Sequence, residues 1–270
     1  MSSRHFALNH MTAPQLPLPE FFALVGKLGL SDVEIRNDIS GNAILDGTAA
    51  AEVRSEAARA GVSILTINAL QKFNRWSDAR RAEAIELADY ARDCGAKALI
   101  LVPANDGTGC RDDERVANTT AALKELKPIL ADRGLIGLVE PLGFVVCSLR
   151  SKREAAAAID AVDGRATFKI THDTFHHYLA GEPELFPELT GLVHISGVND
   201  PKVAVAEMAD SHRVLVDAND RLGNIAQLKA LFAAGYTGPV SFEPFAEELR
   251  HLDNPEREIG ASLAFIRQSI

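Results

Sequence analysis

The stretch Phe168-Lys-Ile-Thr-His-Asp-Thr-Phe-His-His177 decides how the chain is read. The run from Ala166 to Ile170 reads as a short buried strand, and it breaks at once into His172, Asp173, His176 and His177. Four groups able to bind metal or move protons therefore stand where a strand hands over to a loop. Parallel α/β folds place their chemistry at such strand ends. Taken alone, the stretch fits a solvated loop rich in histidine equally well. The rest of the chain tips the balance, because two further apolar strands end on Glu140 and Glu243 and another carries His194.

Outward from this point the same pattern repeats. Phe6–His10, Asp32–Asn37, Val62–Asn68, Ala98–Pro103 and Leu135–Glu140 read as strands upstream, and Leu192–Ser196 and Pro239–Glu243 downstream. Helical spacing falls between them, over Glu20–Leu28, Thr48–Ala60, Asp78–Cys94, Glu114–Arg133, Arg153–Val162, Ile225–Ala234 and Glu256–Ser269. Pro128 is expected to break or kink the fourth of these helices. Pro183–Leu189 reads as a short helical piece, Ala69–Ser77 as a long loop and Asn199–Asn224 as a longer polar segment. Glycine closes several helices, at Gly29, Gly61, Gly95 and Gly134.

Mostly apolar strands of this kind are what burial on both faces produces. Eight strand–helix units in 270 residues predict an α/β fold, a (β/α)₈ TIM barrel, as a single domain over residues 1–270. An open doubly wound sheet is the weaker alternative, since no G-x-G-x-x-G follows the first strand. There is no G-x-x-x-x-G-K-[ST] run either, which excludes a P-loop.

Composition narrows the partners. A net charge of −9 and a pI near 5.4 disfavour nucleic acid and anionic membrane, both of which would repel the chain. Cys94, Cys110 and Cys147 are odd in number and widely spaced, as expected of reduced thiols in a cytosolic protein. Met1–His10 lacks the apolar core of a signal peptide, and no apolar run approaches the roughly 18 residues of a spanning helix. A cytoplasmic enzyme acting on a small molecule is the expectation.

In a barrel all strand C-termini meet at one rim. Glu140, Asp173, His194 and Glu243, far apart in sequence, thereby come to one cavity. Three carboxylates crowded together repel and raise one another's pKa values, and a divalent cation removes that conflict. The oxygen-rich donor set suits Mn²⁺, Mg²⁺, Co²⁺ or Zn²⁺, and leans away from structural zinc. His10, at the end of the first strand, and Asn68, at the end of the third, are further candidates for lining the cavity.

The order Glu140, Asp173-Thr-Phe-His176, Val193-His194-Ile-Ser and Ser241-Phe-Glu243 resembles the xylose-isomerase-like barrel superfamily of sugar isomerases and epimerases. Within it the chain is similar to the 2-keto-myo-inositol (inosose) isomerases of inositol catabolism. Phe6–Met11, Val33–Asp38, Ile67–Gln71, Val139–Gly143, His172–His177, His212–Ala218 and Ser241–Phe245 carry that similarity. The resemblance implies one divalent metal ion, Mn²⁺ first among the candidates, held by Glu140, Asp173, His194 and Glu243. It implies that Glu140 and Glu243 are also the acid/base pair, and that His176 and Arg213 contact substrate oxygens. His10 and Asn68 join these as expected substrate-binding residues. The implied substrate is a polyol ketone or ketose, turned over through a cis-enediolate by carboxylate proton transfer.

Alternatives remain open on sequence alone. A ketose 3-epimerase or hydroxypyruvate isomerase would use the same constellation. The epimerase branch, however, carries a glutamate six residues after its first metal glutamate, where this chain has Val146. An endonuclease of abasic sites is disfavoured by the acidic balance, and a non-catalytic sugar sensor by the intact glutamate pair. Dimers are common among relatives of this barrel, so a homodimer is one possible assembly.

Overall fold

A computed structural model of the chain describes residues 4–39, 44 and 47–270. Met1–Ser3, within the Met1–His10 segment read above, lie outside the described residues. Eight parallel strands close on themselves: β1 (Phe6–Asn9), β2 (Asp32–Arg36), β3 (Ser63–Gln71), β4 (Ala98–Val102), β5 (Ile136–Val139), β6 (Phe168–Asp173), β7 (Thr190–Ile195) and β8 (Val240–Phe242). Each strand pairs with the next, and β8 returns to β1 through Ala7 opposite Ser241. Eight helices alternate with them: α1 (Leu18–Lys27), α2 (Ala50–Ala60), α3 (Asp78–Cys94), α4 (Asp112–Ala131), α5 (Lys152–Ala161), α6 (Thr174–Ala180), α7 (Asn224–Ala233) and α8 (Pro255–Ser269). The predicted (β/α)₈ TIM barrel is therefore the fold.

The two faces of each strand have different partners. One set of positions, including Phe6, Leu8, Val33, Ile35, Phe168, Ile170, Val193 and Phe242, belongs to the large apolar core beneath the helices. A smaller cluster of Ala98, Ile100, Leu138 and Leu192, on the opposite set, fills part of the barrel interior. The remaining interior positions are largely polar, and that polarity builds the site.

Three local expectations change. The residues after β6 form α6 at once, because the Asp173 side chain accepts from the Phe175 and His176 backbone N–H groups (2.8 and 3.0 Å) and caps the helix. Pro183–Leu189 consequently is not helical; the helix of this unit has already ended at Ala180. Pro128 does not break α4, which runs on to Ala131, since a proline this near the end removes only one late amide bond. β3 is also longer than read and continues to Gln71, through a register irregularity between Ile67 and Leu70 where it pairs with β4.

Gly143, just beyond β5, is dictated by a close approach. A Cβ there would lie 2.2 Å from the His176 carbonyl oxygen and 2.7 Å from Leu179 Cβ. Only glycine lets the β5 loop sit against α6, which carries His176.

Candidate metal centre and substrate cavity

Glu140 follows the last residue of β5, Asp173 ends β6, His194 lies in β7 and Glu243 follows β8. Strand register aligns them, with Asp173 beside His194 and His194 beside Ser241, two residues before Glu243. One donor atom from each of the four lies within 4.8 Å of the others, and all four side chains are buried. His194 Nδ1 is central, 2.8 Å from Glu140 Oε1, 3.1 Å from Glu243 Oε2 and 4.0 Å from Asp173 Oδ2. Four donors this close and this dry match the oxygen-rich set expected of a divalent cation.

The far side of the imidazole is equally specified. His194 Nε2–H donates to Glu34 at 3.1 and 3.2 Å, so Nδ1 is the nitrogen that faces the other ligands. Glu34, fully buried in β2, also accepts from Thr66 Oγ1 (2.6 Å), Asn68 Nδ2 (2.9 Å) and Asn9 Nδ2 (3.4 Å). Each of these hydrogen-bond partners is a donor.

Two buried arginines complete the centre. Arg213 donates from Nη2 to Asp173 Oδ2 (2.6 Å) and Glu243 Oε2 (3.2 Å). Arg36 donates to Glu243 Oε1 (2.8 Å) while its other nitrogens grip Asp38. Four buried carboxylates, Glu34, Glu140, Asp173 and Glu243, thus share two buried guanidinium groups, and a divalent cation would offset negative charge gathered there.

Among the protein's own groups the imbalance appears as displaced protonation. Burial pushes Glu140 up to about 7, with His194 pulling it down and Glu243 pushing it further up. Burial acts the same way on Glu243, but His194, Arg213 and Arg36 outweigh it and hold this carboxylate well below its usual range. Burial would lower His194; Glu243, Glu34 and Glu140 overcome that and hold it well above the usual imidazole range.

Over the centre opens a cavity of about 340 Å³. Its wall includes Glu140, Glu243, Arg36, Arg213, Asn68 and His176, with Gln71, Lys72, Asn105 and Asp106 toward the rim. His176 is buried, packs edge-on against Phe144 and Phe175 (both 5.2 Å), and its Nδ1 has no hydrogen-bond partner. Burial lowers its pKa, Asp173 partly opposing, so the ring is neutral. A neutral imidazole in the wall of a polar cavity is suited to contact a substrate hydroxyl.

The sequence profile of the xylose isomerase-like TIM barrel family matches residues 22–269. The chain belongs to that family. Among solved structures similar to this family member, a xylose isomerase domain-containing protein from Salmonella typhimurium LT2 is 34% identical, with TM-score 0.91 over 98% of this chain and 97% of the other. The IolI protein, whose structure carries a bound zinc atom, is 20% identical with TM-score 0.87, covering 98% and 97%. A D-allulose 3-epimerase from Methylomonas sp., solved with D-allulose, is 18% identical with TM-score 0.74, covering 99% and 97%. No curated protein sequence matches significantly.

Seven of the eight residues picked out from sequence in this barrel of the xylose isomerase-like family come together. Glu140, Asp173, His194 and Glu243 form one buried cluster that could hold a metal ion, and His176, Arg213 and Asn68 surround it. His10 does not join them. Its Nε2 is 2.8 Å from the Leu16 carbonyl oxygen, its ring stacks on Phe21 at 4.6 Å, and it is absent from the cavity wall. Burial drops its pKa to about 4. His10 is thus a packing residue that joins the end of β1 to α1, and the expectation that it binds substrate is corrected.

His172 and His177 lie outside the barrel, where Lys152 Nζ donates to Nδ1 of both at 2.9 and 2.7 Å. His172 Nε2–H in turn reaches Gln227 Oε1 at 2.9 Å. Burial lowers both rings, His177 to about 4, and lowers Lys152 to about 8. Neither histidine belongs to the four-residue cluster. Conversely, Glu34 and Arg36 belong to the site and were not singled out from sequence, although both occupy alternate polar positions of Asp32-Val-Glu-Ile-Arg36.

Proposed function

We propose that this protein is a divalent-metal-dependent isomerase that moves the carbonyl of a polyol ketone, with inosose the leading substrate, by carboxylate-mediated proton transfer. The single observation behind this reading is the unequal pair Glu140 and Glu243 in one buried cavity. Glu243 accepts hydrogen bonds from Asn9, Arg36 and Arg213, so it is the residue held as a carboxylate. Glu140 is bonded through His194 alone among these groups, so it is the one that readily carries a proton.

In the forward direction Glu243 takes the proton from the carbon bearing a hydroxyl and Glu140 returns one to the adjacent carbon, while the hydroxyl proton passes to the former carbonyl oxygen. The roles exchange in reverse. His176 and Arg213 orient the substrate oxygens, and Asn68, tied to Glu34, forms the wall behind them. A divalent ion held by Glu140, Asp173, His194 and Glu243, Mn²⁺ in the first instance and Mg²⁺, Co²⁺ or Zn²⁺ otherwise, would stabilise negative charge developing on the two adjacent oxygens. The whole chain, residues 1–270, acts in this reading as one cytoplasmic domain, with a homodimer as its candidate assembly.

A ketose 3-epimerase shares the metal centre, but Val146 is about half exposed and stands outside the cavity wall, so it supplies no substrate contact. Incubation of the metal-loaded protein in D₂O with inosose and, separately, with fructose tests the reading. Inosose should show metal-dependent entry of solvent deuterium at carbon together with carbonyl migration. Turnover of fructose at its third carbon, with inosose inert, would replace the isomerase by the epimerase.

A further inference from the structure

The opposite end of the barrel holds a second cavity, of about 360 Å³. Interiors of such barrels are normally filled by successive layers of side chains. Here the lowest layer is thin. Ala98 contributes one methyl group and Gly191 contributes none. Space for more is denied at Gly191, where a Cβ would lie 2.7 Å from Leu138 Cδ2 and 2.8 Å from Lys169 Cβ. The walls are Leu65, Ile136, Leu138 and Leu192, and most of the cavity surface is apolar.

Its mouth carries Lys97, Lys169 and His5 against a single acid, Asp32. His5 and Asp32 stand 3.9 Å apart, whereas neither lysine has a carboxylate partner among the described residues. An unbalanced cationic rim over an apolar well is unusual on a chain of net charge −9. Between this well and the metal centre lies the barrel's middle layer, with Glu34, Thr66, Thr171 and Ser241. The two cavities are therefore separate.

We propose that the N-terminal mouth of the barrel is a second ligand site, for a small organic monoanion with an apolar body. The apolar part would fill the well above Leu138 and Leu192, and the anionic group would meet Lys97 and Lys169 at the rim. The volume falls in the ~300–1,000 Å³ range of small-molecule pockets, and the combination of apolar lining with a few polar groups is their usual make-up.

Calorimetric titration of the metal-loaded protein with hexanoate, hexanol and inorganic phosphate tests this. Hexanoate should bind at one saturable site, hexanol about tenfold or more weakly, and phosphate not measurably, since charge and apolar body both contribute. Lys97→Ala/Lys169→Ala should weaken hexanoate about tenfold or more and leave it no better than hexanol. Ala98→Met, which fills the well, should abolish binding while leaving metal content and turnover intact. No saturable binding to the unaltered protein would overturn the proposal. So would equal affinity for hexanoate and hexanol, or hexanoate binding retained in Ala98→Met, which would place it at the metal centre instead.

Discussion

Replacing Glu34 by Gln removes a charge that touches no substrate, yet it should disable the metal centre. Thr66 Oγ1, Asn68 Nδ2, Asn9 Nδ2 and His194 Nε2 all point donors at this one side chain. A carboxylate accepts from all of them. The isosteric amide accepts on one oxygen only and turns an NH₂ toward groups that are themselves donors. Leaving one such donor buried and unpaired costs ~1–3 kcal/mol. Alternatively the new NH₂ donates to His194 Nε2, which moves the ring proton to Nδ1, the atom needed by the metal. Loss of an outer partner of a metal-bound histidine typically weakens metal binding ~10–100-fold. That is ~1.4–2.7 kcal/mol, the same size as the unpaired donor. Competition against a chromophoric chelator, using Mn²⁺ and Zn²⁺, should therefore show dissociation constants raised ~10–100-fold, with circular dichroism unchanged. Metal binding within about threefold of the unaltered protein, in a folded variant, would refute the claim that Glu34 sets the state of His194.

Glu140→Gln and Glu243→Gln should each retain metal, less tightly, while turnover falls ~10²-fold or more, the usual scale for losing a general acid or base. Glu140→Gln alone should still exchange the substrate's carbon-bound proton with D₂O in the forward direction, and identical exchange in both variants would remove the division of roles. Metal affinity should rise with pH between about 5.5 and 8, because binding displaces protons from Glu140, raised to about 7, and from His194, held above 6.5. The sign follows from linkage: protonation of these two groups stabilises the metal-stripped fold at low pH and is lost as pH rises through their raised pKa values, so the melting-temperature gain on adding metal should grow across that window. His10 and His177, both lowered to about 4, act in the opposite direction but equally with and without metal, and cancel in that difference. Gly143→Ala should raise KM more than it weakens metal binding, since its Cβ displaces the backbone carrying His176 and not a ligand. An unchanged KM there would show that α6 absorbs the methyl group elsewhere.

The barrel was legible because its outer strand positions are nearly all apolar and its helices carry ordinary end signals. Gly61 and Gly95 cap α2 and α3 in left-handed conformation, at φ +69° and +84°, as their positions after the predicted helices required. Glu140, Asp173 and Glu243 were legible for a related reason: a charged residue closing an apolar strand has nowhere to go except the rim. His10 satisfies the same rule and still turns away, because a backbone carbonyl six residues on takes its Nε2 and the face of Phe21 stacks on its ring. Those partners belong to the loop into α1 and to α1 itself, and nothing in the strand announces them. Helix α6 was misplaced because Asp173 was read only as a ligand. One oxygen caps the helix while the other faces Arg213, so a single residue starts α6 and completes the centre.

Glu34 and Arg36 were passed over because chemistry was looked for at strand ends and not at the alternate polar positions within a strand. Asp32-Val-Glu-Ile-Arg36 alternates strictly, and in an antiparallel sheet its polar positions would be wet. A closed parallel barrel has no such face, because helices cover the outside of every strand. Alternate polar residues must then point inward, and an inward charge must be paired or bound. Among the inward polar residues are Asn9, Glu34, Arg36, Asn68, Asp173, His194 and Glu243, which the structure joins by hydrogen bonds or places as donors around one point. Once the fold class is granted, a polar residue in the middle of a barrel strand is thus stronger evidence for function than one at its end, since water cannot account for it.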